Sequence, residues 1–214
     1  PFLLALHPLI SAIAAGNVVV LKPSELTPNT SAIIKKIIQN VFPSEWVLIV
    51  EGGVEVTTQL LSYRFDMIFF TGSTTVGKIV HQAASKFLTP VVLELGGKSP
   101  CIITPSANLE VAVNRIVFGK FVNGGQTCIA PDFIWIHESI KTKFLELLKN
   151  RIIACYGTDI KNSPDFPRII KQKNFNRLVG YLNSGKVYFG GSSDSSDLYI
   201  EPTILNNVTC KDEV

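Results

Sequence analysis

A doubly wound α/β fold, a parallel sheet with helices on both faces, is what three features of this sequence predict. Short β-branched or aromatic runs recur at 18–21, 47–50, 67–70 and 91–93. Between most of them, apolar residues repeat every three or four positions, the period of a helix resting on a sheet. Each run is followed within three residues by Gly or Pro, which ends it. Strict alternation of strand and helix makes the strands parallel, and ligands then bind outside their carboxyl ends.

The elements follow in chain order. Residues 1–21 carry no charged side chain, as a membrane span would, but Pro1, His7, Pro8 and Gly16-Asn17 interrupt them. A buried helix, a turn and the strand 18–21 fit better, and no basic n-region marks a signal peptide. The apolar start reads as an element already under way, so a cut chain is expected. A helix from about Asn29 turns Ile33, Ile34, Ile37, Ile38, Val41 and Phe42 inward, then come the strand 47–50 and a short helix over 54–61. The strand 67–70 leads through Thr71-Gly72-Ser73 into a helix striped by Val76, Ile79, Val80, Ala83, Ala84 and Phe87. The strand 91–93 runs into Glu94. Beyond a domain boundary near Leu95 come a strand at 101–103 and a helix from Asn108. The loop 123–128, a strand at 133–136 and a helix over 139–155 follow. Residues 156–167 and 190–197 read as surface loops, the second preceding a strand near 199–205.

Composition narrows the function classes. At 46% hydrophobic and 17% charged, the 214 residues can bury a substantial core. The net charge of +3 comes from charges spread along the chain without a basic run, so no nucleic-acid partner is expected. Cys101, Cys128, Cys155 and Cys210 form no C-x-x-C pair and lie far from the three histidines in sequence. Neither a metal site nor a disulfide framework is expected, and a reducing compartment is.

Four places carry candidate chemistry. Thr71-Gly72-Ser73-Thr74-Thr75-Val76-Gly77 joins a strand to a helix, where small residues admit a phosphate to free N–H groups; alone, it reads first as a capped helix start. Lys22 and Glu25 end the first strand and could hold ribose hydroxyls, or simply form a solvated turn. Glu94, between apolar residues at a strand end, should be buried with a raised pKa, as suits a general base; an ion pair with Lys98 is the alternative. Cys128 follows Asn123-Gly124-Gly125-Gln126-Thr127, the least apolar setting of any cysteine here, and a Gly-rich loop gives a nucleophile access. Cys101, in a strand, and Cys155, at the end of a helix, read as core thiols.

Together these residues resemble the aldehyde dehydrogenase superfamily. The resemblance rests on Ala14-Ala15-Gly16-Asn17 with Lys22-Pro23-Ser24-Glu25, Phe70-Thr71-Gly72-Ser73, Leu93-Glu94-Leu95-Gly96-Gly97-Lys98, Gly125-Gln126-Thr127-Cys128 and Glu201-Pro202-Thr203-Ile204-Leu205. It covers essentially the whole chain. Ile129-Ala130-Pro131-Asp132-Phe133 and Leu88-Thr89-Pro90 are similar to the class 3 branch, which oxidises aromatic and medium- to long-chain aliphatic aldehydes.

The resemblance implies a Rossmann-like NAD(P)-binding part over 1–95 and part of a catalytic domain over 96–214, truncated at both ends. It implies that Lys22 and Glu25 hold the adenosine ribose, and that Gly72, Ser73, Thr74, Thr75, Val76 and Gly77, with Leu95, line the cofactor site. It further implies that Cys128 attacks the aldehyde and Glu94 activates the hydrolytic water. A homodimer of the full-length protein is implied. So is a cytoplasmic location, or a cytoplasmic-face membrane anchor on a tail beyond this chain. The family's oxyanion-hole asparagine should lie two residues before Pro1, and its Glu-x-Phe-Gly-Pro segment just beyond Val214; Glu213 comes too early to belong to it. By itself the chain is therefore expected not to turn over aldehyde. The alternatives are an acylating enzyme, which Glu94 argues against, and a truncated non-catalytic fragment that binds nucleotide or a subunit.

Overall fold

The computed structural model describes residues 1–183 and 186–212, so Glu213 lies outside the described residues. The chain forms two compact units, Pro1–Gly96 and Gly97–Val214.

The first unit opens with α1 (Phe2–Ala14), which runs through Pro8. Pro8 has no N–H to give to the preceding turn, a loss the helix survives by packing. The turn that ends it needs Gly16 at φ +80°, where the Gly16 N–H donates to Ile13 O at 2.9 Å. The helix was expected to be buried, but Leu9 is its one buried residue and Leu3 is 71% exposed. The reason is geometric: α1 packs through Ala5, Leu6, Leu9 and Ile13, one stripe at helical spacing, against Ile34, Ile38 and Val47. No helix among the described residues is long and apolar enough to cross a membrane.

β1 (Val19–Leu21) and β2 (Val47–Ile49) pair in parallel across α2 (Pro28–Val41). Of the apolar residues expected inward on α2, Ile34 and Ile38 are buried while Ile33 and Val41 are more than half exposed. A helix covering two short strands buries one narrow stripe. After α3 (Val54–Leu60), β3 (Ile68–Thr71) and β4 (Val91–Glu94) form a second parallel pair across α4 (Thr74–Ala84). The buried stripe of α4 is Gly77, Val80 and Ala84, one residue round from the expected one: Val76 and Ile79 face out.

The second unit repeats the plan once. β5 (Ser99–Ile103) and β6 (Pro131–Ile136) pair in parallel across α5 (Leu109–Phe121). α6 (Glu138–Tyr156) packs on α5 and buries Phe144, Leu148 and Ile152 at four-residue intervals. The ladders among the described residues join strands two by two rather than in one continuous sheet. A crossover helix brings its own two strands together, whereas adjacency between units has no such local cause.

Three expectations fail in the last third. Residues 156–167 are not a plain surface loop: Ile160 and Phe166 are buried, and Phe166 meets the rings of Phe121, Tyr156 and Tyr199 at 5.2–6.4 Å. Ser193–Asp194 is a strand, β8, which forms an antiparallel hairpin with β9 (Tyr199–Ile200). The strand expected near 199–205 breaks at buried Pro202, and β10 (Ile204–Leu205) pairs instead with β7 (Val187–Phe189). The helix α7 (Gln172–Leu182) was not anticipated.

Candidate active site

In the first unit the candidate residues gather on the carboxyl edges of the two parallel pairs. Lys22 directly follows β1, and its ammonium donates to Gly52 O at 2.8 Å, Pro23 O at 3.0 Å and Glu25 Oε2 at 3.1 Å. It thereby ties the loop after β1 to the loop after β2, with its side chain largely covered at 18% exposure. One solvated-turn contact (Lys22 with Glu25) is present, but the reach to Gly52 makes this a built corner.

At the other edge, the strand register sets Thr71 beside Glu94, and the Gly72 N–H donates to Glu94 O at 2.9 Å. Ser73 caps α4, its hydroxyl accepting from the Val76 N–H at 3.3 Å. The Thr74 and Thr75 N–H groups stand in the first turn, where no helical carbonyl precedes them, and residues 72–76 are exposed. Gly77 is buried, and a Cβ there would stand 2.9 Å from Leu95, so the helix start is seated directly against the strand end. An exposed, capped N-terminus with small residues fits a pyrophosphate. The sequence-predicted residues Gly72, Ser73, Thr74, Thr75, Val76, Gly77, Glu94 and Leu95 therefore come together.

Glu94 itself is exposed, which corrects the expected burial. It is the last residue of β4, and the flanking Leu93 and Leu95 are only half-buried, so the apolar neighbours in sequence do not enclose it. Lys98 is not its partner: the Lys98 ammonium pairs with Asp132 Oδ2, and Lys120 lies 3.8 Å from the other Asp132 oxygen.

Cys128 belongs to the second unit, on a turn closed by Ala130 N–H to Thr127 O at 3.1 Å. It is half-buried. A Cβ at Gly97 would stand 2.9 Å from Cys128 O, so glycine is what lets the two backbones pass. Cys101 and Cys155 lie against the core of this unit, and burial pushes the Cys101 thiol up from its ordinary value. Cys210 is exposed. Sequence reasoning missed the groups that flank the Cys128 loop. Burial pulls the Lys120 ammonium below the ordinary lysine value, with Asp132 opposing and Lys98 adding to the shift. Arg168, far downstream, joins the loop by way of Gln126. Nothing in local periodicity marks either residue. Among the described residues no three His, Cys, Asp or Glu side chains are grouped to hold a metal ion.

Parallel βαβ units, one of them with an exposed, capped helix start at the carboxyl edge of its strands, define an α/β protein of Rossmann-like build. The chain belongs to the aldehyde dehydrogenase family, whose model matches residues 1–214. It is 51% identical to the 4,4'-diaponeurosporen-aldehyde dehydrogenase of Staphylococcus aureus over 98% of this chain and 46% of that protein. It is 48% identical to aldehyde dehydrogenase family 3 member A2 of Pongo abelii over 100% of this chain and 44% of that protein. It is 45% identical to the dimeric NADP-preferring aldehyde dehydrogenase of Canis lupus familiaris over 100% and 47%. The solved, substrate-bound AldH of Staphylococcus aureus superposes with a TM-score of 0.91 at 50% identity, covering 100% of this chain and 47% of that one. The chain thus spans less than half the length of the relatives it matches.

Proposed function

We propose that the full-length protein oxidises aromatic or medium- to long-chain aliphatic aldehydes to carboxylic acids with NAD or NADP, Cys128 being the nucleophile and Glu94 the general base. The carrying observation is the contrast among the cysteines. All three are half-buried, but Cys128 stands on a turn whereas Cys101 and Cys155 pack against the core. The class 3 motifs support the aldehyde class, and the name of the Canis lupus familiaris relative supports NADP and a dimer.

The Cys128 thiolate adds to the carbonyl carbon, and the oxyanion of the resulting thiohemiacetal takes a hydrogen bond from the Cys128 backbone N–H. The nicotinamide, when bound, supplies the hydride acceptor that converts the thiohemiacetal to a thioester. Lys22 and Glu25 would hold the ribose, and the first turn of α4 from Gly72 to Gly77, packed on Leu95, would hold the pyrophosphate. Glu94 takes a proton from water, the hydroxide attacks the thioester carbon, and the thiolate leaves with release of the acid.

Limited alkylation of the full-length enzyme with mass mapping tests the nucleophile. Cys128 should be labelled first and activity lost in step. Preferential labelling of Cys101 or Cys155, or turnover retained by Cys128→Ser, would sink the assignment.

A further inference from the structure

The loop before Cys128 has a shape that its own backbone permits but does not fix. Asn123, Gly124 and Gly125 are successive left-handed residues, at φ 56°, 62° and 76°. The two glycines take such angles without steric cost and Asn123 at little, so the backbone permits this shape without selecting it, and a restraint is what fixes it. Gly125 is confined further, since a Cβ there would stand 3.0 Å from Lys120 O.

Gln126 supplies the restraint. Its carboxamide nitrogen donates to Asn123 O at 3.0 Å and to Arg168 O at 3.1 Å. Its carboxamide oxygen accepts from the Ile170 N–H at 3.0 Å. Asn123 returns the contact, its side-chain amide donating to Gln126 O at 3.1 Å. The three partners of the carboxamide fix its orientation, because two carbonyls need donors and one N–H needs an acceptor. The far end is anchored in turn. The Arg168 guanidinium donates to Asp197 at 2.7 Å, to Lys161 O at 2.6 Å and to Phe166 O at 3.0 Å, and lies 5.0 Å over the ring of buried Tyr199.

We infer that Gln126 is the positioning residue of the nucleophile: it clamps the loop carrying Cys128 to the 168–170 segment and so fixes where the thiol and its N–H point. The inference rests on the reading of Cys128 as nucleophile. Its consequence is specific to the carboxamide. Replacing it with a carboxylate keeps the acceptor for the Ile170 N–H but sets its other oxygen against the Asn123 and Arg168 carbonyls, which disfavours the ionised form, and protonating that oxygen restores one donor.

The test uses Gln126→Glu and Gln126→Met in the full-length enzyme. Steady-state kinetics and the alkylation rate of Cys128 are measured from pH 6 to pH 8, each relative to wild type at the same pH. Both variants should lower kcat by about 10²-fold at pH 8, the usual effect of a small misplacement, with aldehyde KM little changed. The Gln126→Glu deficit should shrink several-fold toward pH 6, while that of Gln126→Met, which has no group to titrate, stays constant. The Cys155 alkylation rate should match wild type in both. Variants equal to wild type at every pH, or deficits alike in pH dependence, would overturn the inference. So would a parallel rise in Cys155 labelling, which would mean general loosening. Turnover retained by Cys128→Ser, by contrast, would sink the nucleophile reading and leave the clamp itself untouched.

Discussion

In the first unit the candidate residues sit in or just after parallel strands or in the first turn of the helix that follows, whereas in the second Cys128 stands on a turn held from far along the chain. Glu94 ends β4, Gly72 follows β3, and Lys22 follows β1. The bonds that fix the Cys128 loop come instead from residues 42 and 44 positions downstream of Gln126. Their anchor, Arg168, is itself paired 29 residues further on. The cores differ in the same sense. Four buried residues from α1, α2 and β2 make up the cluster of the first unit, while that of the second adds Phe166 and Tyr199 from the irregular last third. Strand order supplies most of the proposed cofactor edge, with the tie from Lys22 to Gly52 across it. The turn of Cys128, the proposed nucleophile, draws on non-local polar ties throughout.

The largest effect expected from this division concerns what each unit contributes to the reaction. If the first unit serves the second half-reaction through Glu94, then Glu94→Gln should slow steady-state turnover by about 10²–10⁴-fold, the usual worth of a general base. The single-turnover burst of reduced cofactor should survive, because thiohemiacetal formation and oxidation precede the step that needs the base. Stopped-flow absorbance separates the two phases. Equal loss of burst and steady state would assign Glu94 another role. The exposure of Glu94 makes it a carboxylate that solvent water can reach directly.

A sharper version sets two adjacent glycines against each other. Gly97→Ala puts a Cβ 2.9 Å from Cys128 O, a backbone atom that can yield only by moving the Cys128 peptide or that of residue 97. Gly96→Ala meets nothing within 4 Å. The first should cost about 10²-fold in kcat by misplacing the thiol, and the second less than about threefold. Circular dichroism of the two variants should be alike. Comparable activity in both would mean that the Gly97 crossing does not set the thiol's position.

This contrast also explains what could be read in advance. The parallel βαβ units were legible because their signals are local: β-branched runs, helical periods and the Gly or Pro that ends each strand. The candidate residues of the first unit lay at those punctuation points. Ile160 and Phe166 were not legible, because a Gly-, Asn- and Pro-rich stretch reads as solvated unless its few apolar residues are known to meet Phe121 and Tyr199. The α4 stripe was displaced by one residue because Gly77, which lets the helix sit against Leu95, counts for nothing in a hydrophobic pattern. Gln126 was visible as part of a motif, but its partners at 168–170 depend on where the chain returns.

The smallest expected effect tests whether the polar ties of the second unit hold in solution beyond the Cys128 loop. Asp212 accepts from Lys186 Nζ at 2.6 and 2.7 Å, from the Thr209 N–H at 2.6 Å and from the Thr209 hydroxyl at 2.9 Å. These contacts, the Lys186 hydrogen bond foremost, lower its pKa to about 2. An unfolded aspartate titrates near ~3.9, so folding here favours the ionised form. The stabilisation is therefore complete above about pH 4 and drains away as pH falls toward the folded value, the usual direction for a depressed carboxylate. The link from Lys186 to Thr209 should itself loosen only near the folded value, where Asp212 takes up its proton. An NMR titration of the full-length protein should find the Thr209 amide shift inflecting near pH 2, and Asp212→Asn should abolish that inflection. An inflection at the ordinary aspartate value would show that Lys186 and Asp212 are not paired in solution. The polar ties between distant segments of this unit would then rest on those of Gln126 and Arg168 and on Lys141 with Asn207 and Lys161 with Asp194.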